Sequence, residues 1–154
     1  MPALKDIYHY EALADWLGTA GQPTSEQFEL IASSGYQAVI NLALADSDNA
    51  LADEGSHVAA QGMSYHHIPV DFSNPTEKDL ALFTGVMNAL EGTHVFVHCV
   101  VNARVSAFCF RYLTETKGWP ADQATTRLLK KWEPQMDDTW RAFTFRASRQ
   151  SDAL

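Results

Sequence analysis

The chain has 154 residues, 46% hydrophobic and 19% charged, enough for one packed domain and too apolar for disorder. A formal net charge of -8 at pH 7 argues against a general binder of nucleic acid or of an anionic membrane, which an acidic surface repels; it leaves room for an anionic substrate held by a few oriented donors. No stretch is long enough to span a membrane, and Met1 to Ala14 lacks the layout of a secretion signal.

The two cysteines, Cys99 and Cys109, are poorly placed to bridge and are read as reduced thiols, so a cytoplasmic location is expected. Metal-binding spacings such as Cys-x-x-Cys are lacking, and neither a metal nor a cofactor is expected.

In chain order, Thr24-Ser25-Glu26-Gln27 forms a capping box for a short helix carrying Phe28, Leu30 and Ile31, closed by Gly35. Ala38 to Leu42 is a buried strand, 48–61 a weaker helix closed by Gly62, and Ser64 to Val70 a second strand running into Asp71. One of His66 and His67 is expected to be buried. Thr76 caps a helix with Leu80, Phe83, Met87 and Leu90 at helical spacing, stopped by Gly92. His94 to His98 encloses a third strand, and Ala103 to Lys117 reads as a long helix with Cys109 on its apolar side. A helix from Pro120 stops before Pro134, and a last one runs from Asp138 to about Arg146. Trp119, Trp132 and Trp140 are core residues or part of an interface.

This alternation predicts a single α/β domain over residues 1–147, three-layered, with a mostly parallel central sheet flanked by helices and a flexible tail over 148–154. Ligands collect at the carboxyl ends of such strands, where Asp71 and Cys99 fall.

Cys99 opens a loop between strand and helix, where backbone N–H groups and the positive helix end favour a thiolate and a bound anion. The N–H groups of Val100, Val101, Asn102, Ala103, Arg104 and Val105 are the candidate phosphate donors, and the Arg104 guanidinium can grip two oxygens. Ser106 can donate to the sulfur, His98 can orient the loop, and Asn102 suits a left-handed position. Asp71 can protonate a leaving group and later activate water, or can instead cap the turn before Asn74-Pro75. Cys99 can also be read as a small core residue, and Arg104 as the partner of a surface carboxylate.

His98-Cys99 after an apolar strand, with Ser106 seven residues on, resembles the signature of the protein tyrosine and dual-specificity phosphatases. Gly21-Gln22-Pro23-Thr24, Val39-Ile40-Asn41-Leu42, Ile68-Pro69-Val70-Asp71-Phe72, Pro75-Thr76 and the run from His98 to Phe108 resemble a bacterial branch related to the phosphatase-like domain of beta-lactamase-hydrolase-like proteins. The resemblance covers roughly residues 17–145. It implies the protein tyrosine phosphatase-like fold, a phosphocysteine at Cys99, a general acid near Asp71, and a phosphorylated small molecule or phosphoprotein as substrate.

The arginine departs from that signature. Four residues separate Cys99 from Arg104 where the signature has five, Val105 fills the usual arginine position, and Asn102 replaces a glycine. The four-residue spacing resembles the rhodanese sulfurtransferases, so sulfur transfer and a catalytically weak phosphate-binding module stand as alternatives. The oligomeric state is not legible.

Overall fold

The computed structural model describes residues 2–153, with side chains described up to residue 145. A 3-10 turn at Leu4–Asp6 leads into an antiparallel hairpin of β1 (Glu11–Ala14) and β2 (Leu17–Ala20). Then follow α1 (Ser25–Ser33), β3 (Ala38–Asn41), α2 (Glu54–Ala60), β4 (Ser64–His67), α3 (Glu77–Ala89) and β5 (Val95–His98). After these come α4 (Ala103–Arg111), α5 (Arg127–Trp132) and α6 (Asp138–Ala153). The expected tail over 148–154 falls where the side chains lie outside the described residues.

The sheet order is β1-β2-β5-β3-β4, with every pair after the first parallel. Alternating strand residues feed two cores. Leu17, Ile40, Val95 and Val97 face α3, α4, α5 and α6, alongside Phe83, Phe108 and Trp140. Ala20, Val39 and Phe96 face α1 and α2, alongside Phe28, Ile31 and Val58. The result is the three-layered α/β domain read from the sequence, with β5 in the middle and Cys99 at its carboxyl end.

The capping boxes are present: Gln27 N–H donates to Thr24 Oγ1 at 3.2 Å, and Asp79 N–H to Thr76 Oγ1 at 3.0 Å. Such caps contribute about 1 kcal/mol each.

Five readings need correction. The β1–β2 hairpin was not foreseen, because Glu11 to Ala20 is rich in alanine and has one β-branched residue, Thr19; β2 owes its strand to full burial beside β5. The single helix from Pro120 is instead a 3-10 turn at Ala121–Ala124 followed by α5, because extended Thr126 caps a new start by accepting from Leu129 N–H at 3.0 Å. The long helix from Ala103 ends as α-helix at Arg111 and continues as a π-helical turn over Tyr112–Thr116. The helix of 48–61 starts only at Glu54, after left-handed Asp53 (φ 58°). Neither His66 nor His67 is fully buried; His66 bonds Ser64 Oγ and His67 bonds the Ala43 carbonyl.

Trp140 is fully buried, with Trp119 and Trp132 packed partly buried against the same core. Both cysteines are free and buried, and burial pushes the Cys109 thiol up from its ordinary value, as suits a core residue. Among the described residues no helix is long and apolar enough to cross a membrane.

Candidate active site

The β5–α4 connection holds six consecutive N–H groups, Val100 through Val105, without an acceptor among the described residues; the first paired one beyond them is Ser106 N–H, on Asn102 O. Asn102 makes the turn possible, with φ 75° in the left-handed region. Its side chain also ties the loop down: Nδ2 donates to His9 O at 2.9 Å and to Thr19 Oγ1 at 3.1 Å. A glycine there would turn as easily but could make neither bond.

The outer side of the loop is held by the Gly21 turn. Gln22 N–H donates to Val100 O at 3.0 Å, and a Cβ on Gly21 would lie 2.5 Å from that oxygen. Gly21-Gln22-Pro23-Thr24 is therefore a clamp on the loop, and its last residue, Thr24, is the cap of α1.

Arg104 is 5% exposed, so it does not reach for a surface carboxylate, and it forms no ion pair among the described residues. Nη1 donates to Val70 O at 2.8 Å, Nε is buried without a partner among the described residues, and the guanidinium carbon lies 5.5 Å from the Phe72 ring centroid. A buried cation with a free donor is costly unless an anion meets it.

Cys99 is fully buried at the base of this loop, and its N–H donates to Ala20 O. Ser106 is fully buried too; its Oγ donates to Asn102 Oδ1 at 3.2 Å and shares a 2.6 Å bond with Thr126 Oγ1, the cap of α5. Its hydrogen bonds thus join the loop to α5, and none reaches the sulfur.

His98 is fully buried, with Nδ1 3.2 Å from Cys99 O and Nε2 2.7 Å from Glu54 Oε2. The other Glu54 oxygen accepts from Gln22 Nε2 at 2.7 Å. Burial raises the Glu54 carboxyl, but the bonds from His98 and Gln22 and the field of His98 outweigh it and hold the group below its ordinary value. No sequence motif marks Glu54. The one available hint was that a buried histidine at position 98 needs a partner for its second nitrogen.

Asp71 is exposed and takes the turn-capping geometry: Oδ1 accepts from Ser73 N–H at 2.9 Å and Ser73 Oγ at 2.7 Å. These two bonds, with the field of Arg104, hold its carboxyl below the ordinary value. Its neighbours are fixed: Val70 O is held by Arg104, and Phe72 O accepts from Trp140 Nε1 at 2.7 Å.

The family described as DSP-PTPase phosphatase fused to NAD+ kinase matches residues 8–142. A DUF442 protein of Shewanella putrefaciens CN-32, provisionally assigned as a phosphatase, is 32% identical, covers 96% of this chain and 95% of its own, and has a TM-score of 0.85. A Beta-lactamase hydrolase-like protein of Xylella fastidiosa is 32% identical over 91 residues, 57% of this chain and 21% of that protein; one from Agrobacterium fabrum is 36% identical over 87 residues, 54% and 20%. The chain thus spans about a fifth of the length of these curated relatives. At the level of fold alone, Tk-PTP in its active form superposes with a TM-score of 0.68 at 17% identity, covering 87% of this chain and 92% of its own.

Proposed function

The chain belongs to the DSP-PTPase phosphatases of the kind fused to NAD+ kinase, and from that premise we propose that it hydrolyses a phosphomonoester through a phosphocysteine at Cys99. The observation that carries the reading is the buried Arg104 guanidinium beside a loop in which, among the described residues, six N–H groups and the Arg104 Nε have no partner. Together they match the oxygens of a tetrahedral dianion.

In this reading the Cys99 thiolate attacks phosphorus and the ester P–O bond breaks. The loop amides and Arg104 hold the three equatorial oxygens, and the leaving oxygen takes a proton from Asp71. Water then attacks the phosphocysteine, the S–P bond breaks, and Asp71 as carboxylate takes the water proton. Because the Asp71 carboxyl lies below its ordinary value, acid assistance grows as pH falls. Ser106 acts on the sulfur only after its hydroxyl turns from Asn102 or Thr126. His98, locked by Glu54, fixes the Cys99 carbonyl and so the start of the loop. The nucleophile must stay a free thiol, which suits a reducing compartment such as the cytoplasm. The substrate is a phosphorylated small molecule or a phosphoprotein.

The test is turnover of p-nitrophenyl phosphate and a phosphotyrosine peptide, with trapping of phosphate on Cys99. Cys99→Ser should abolish turnover, and Arg104→Ala should lower kcat/KM by about 10²–10³. Wild-type protein inert on a broad phosphate panel overturns the reading. Thiocyanate from thiosulfate and cyanide, with one extra sulfur on Cys99, would instead mark a sulfurtransferase; phosphate binding without turnover would mark a binding module.

A further inference from the structure

The hydroxyls behind the phosphate loop have one arrangement of protons that leaves none stranded. Thr126 Oγ1 accepts from Leu129 N–H at 3.0 Å, and its own proton has a single acceptor among the described residues, Ser106 Oγ at 2.6 Å. Ser106 must then give its proton to Asn102 Oδ1, 3.2 Å away. The Asn102 amide is fixed in turn, because the opposite orientation would set its oxygen against the His9 carbonyl that Nδ2 reaches at 2.9 Å. Nδ2 also donates to Thr19 Oγ1 at 3.1 Å, and Thr19 passes its proton to Glu11 O. The Glu11 side chain closes the ring: its Oε1 accepts at 2.8 Å from the N–H of Arg127, the residue after Thr126. Thr19, Asn102, Ser106 and Thr126 are all buried. The bonds from Leu129 N–H to Glu11 O all point one way, so each polarises the next.

We propose that Thr126 and Thr19 are positioning residues for anion binding, holding the phosphate loop through this ring. The inference rests on the reading of that loop as a phosphate site. Asn102 sits at φ 75°, a conformation that a residue with a Cβ keeps only when its surroundings hold it there. Its own N–H and that of Ala103 are two of the six free donors, so relaxation at Asn102 would swing both out of the concave face. The ring grips the Asn102 side chain at both ends. Oδ1 is held from α5 by way of Ser106, and Nδ2 from the β1–β2 hairpin by way of Thr19. Neither threonine lies in the loop itself.

The experiment measures affinity for inorganic phosphate by calorimetry, beside the melting temperature. Thr126→Val and Thr19→Val keep the shape and lose the hydroxyl. Each should weaken phosphate binding about threefold to tenfold, the range of one neutral hydrogen bond. Thr126→Ser and Thr19→Ser should restore it. Thr125→Val loses a hydroxyl that bonds Ala121 O outside the ring, and should bind phosphate as wild type does. On a Ser106→Ala background the ring is already open. There Thr126→Val should weaken binding no further, while still lowering the melting temperature through the lost cap of α5. Valine variants that melt lower yet bind phosphate like wild type overturn the proposal, as does a Thr126→Val loss that keeps its full size without Ser106 Oγ. Should Thr126→Val fail to fold, Thr19→Val and its serine rescue decide. If wild type binds no phosphate, the phosphatase reading fails separately, and proton exchange at Asn102 Nδ2 decides the ring. Exchange that is slow in wild type and fast in the valine variants supports it; equal rates overturn it.

Discussion

Removing the Glu54 carboxylate tests how the loop is held. Glu54 is 6% exposed and makes two 2.7 Å bonds, one with His98 Nε2 and one from Gln22 Nε2, so a single side chain anchors both the loop and the clamp beside it. Glu54→Ala leaves Nε2 of a fully buried imidazole without its partner and takes from the half-buried Gln22 amide one of its two bonds. Loss of one member of a buried pair costs about 3–5 kcal/mol. At about 2–4 °C per kcal/mol for a chain of this size, the melting temperature should fall by roughly 6–20 °C. Glu54→Gln keeps the shape and one hydrogen bond and should cost about 1–3 kcal/mol. The pH dependence has a definite sign. A carboxyl held below its ordinary value stabilises the fold fully above the unfolded-state value, about 4.3, and loses that contribution as pH falls through the folded value. Thermal melts of wild type and Glu54→Gln should therefore differ most at neutral pH and converge in acid. A Glu54→Ala melt within about 1 °C of wild type, or a gap that widens in acid, would refute the account.

Three further outcomes follow from the same geometry. Gly21→Ala forces a Cβ against Val100 O and the Tyr8 ring, so it should lower both thermal stability and affinity for inorganic phosphate, measured by melting and calorimetry, by about 1–3 kcal/mol. Asp71→Asn should cost little on p-nitrophenyl phosphate, whose leaving group needs no proton, and about 10²-fold or more on phenyl phosphate. Ser73→Ala removes the hydroxyl bond, the largest of the influences that depress the Asp71 carboxyl, and leaves the backbone N–H bond, so the acid-assisted limb of the phenyl phosphate profile should move modestly to higher pH.

Much of this architecture is written locally. The helices capped by Thr24 and Thr76 and the strands Val39-Ile40 and Val95-Phe96-Val97 announce themselves by caps and apolar runs. The left-handed turn at Asn102 follows from the short tolerance list for positive φ. What stayed hidden depends on long-range contact. β2 carries no strand pattern and exists because β5 covers it. Glu54 is one of 19 acidic residues, and only the fold carries it to His98, 44 positions away. Asp71 was readable as an acid and as a turn cap, and its geometry combines the cap with the field of Arg104. The shifted arginine looked like a defect in the motif. In the structure Arg104 stays inside, over Phe72 and against Val70 O.

The stretch from Val70 to Phe72 is pinned on both flanks, by the guanidinium at one end and the Trp140 indole at the other, with the Phe72 ring stacked on Trp132. Its ordering is therefore settled when the protein folds and is not repeated with every substrate that arrives. An enzyme assembled this way has little reason to wait on a swinging flap, so thickening the solvent should leave its maximal velocity nearly untouched.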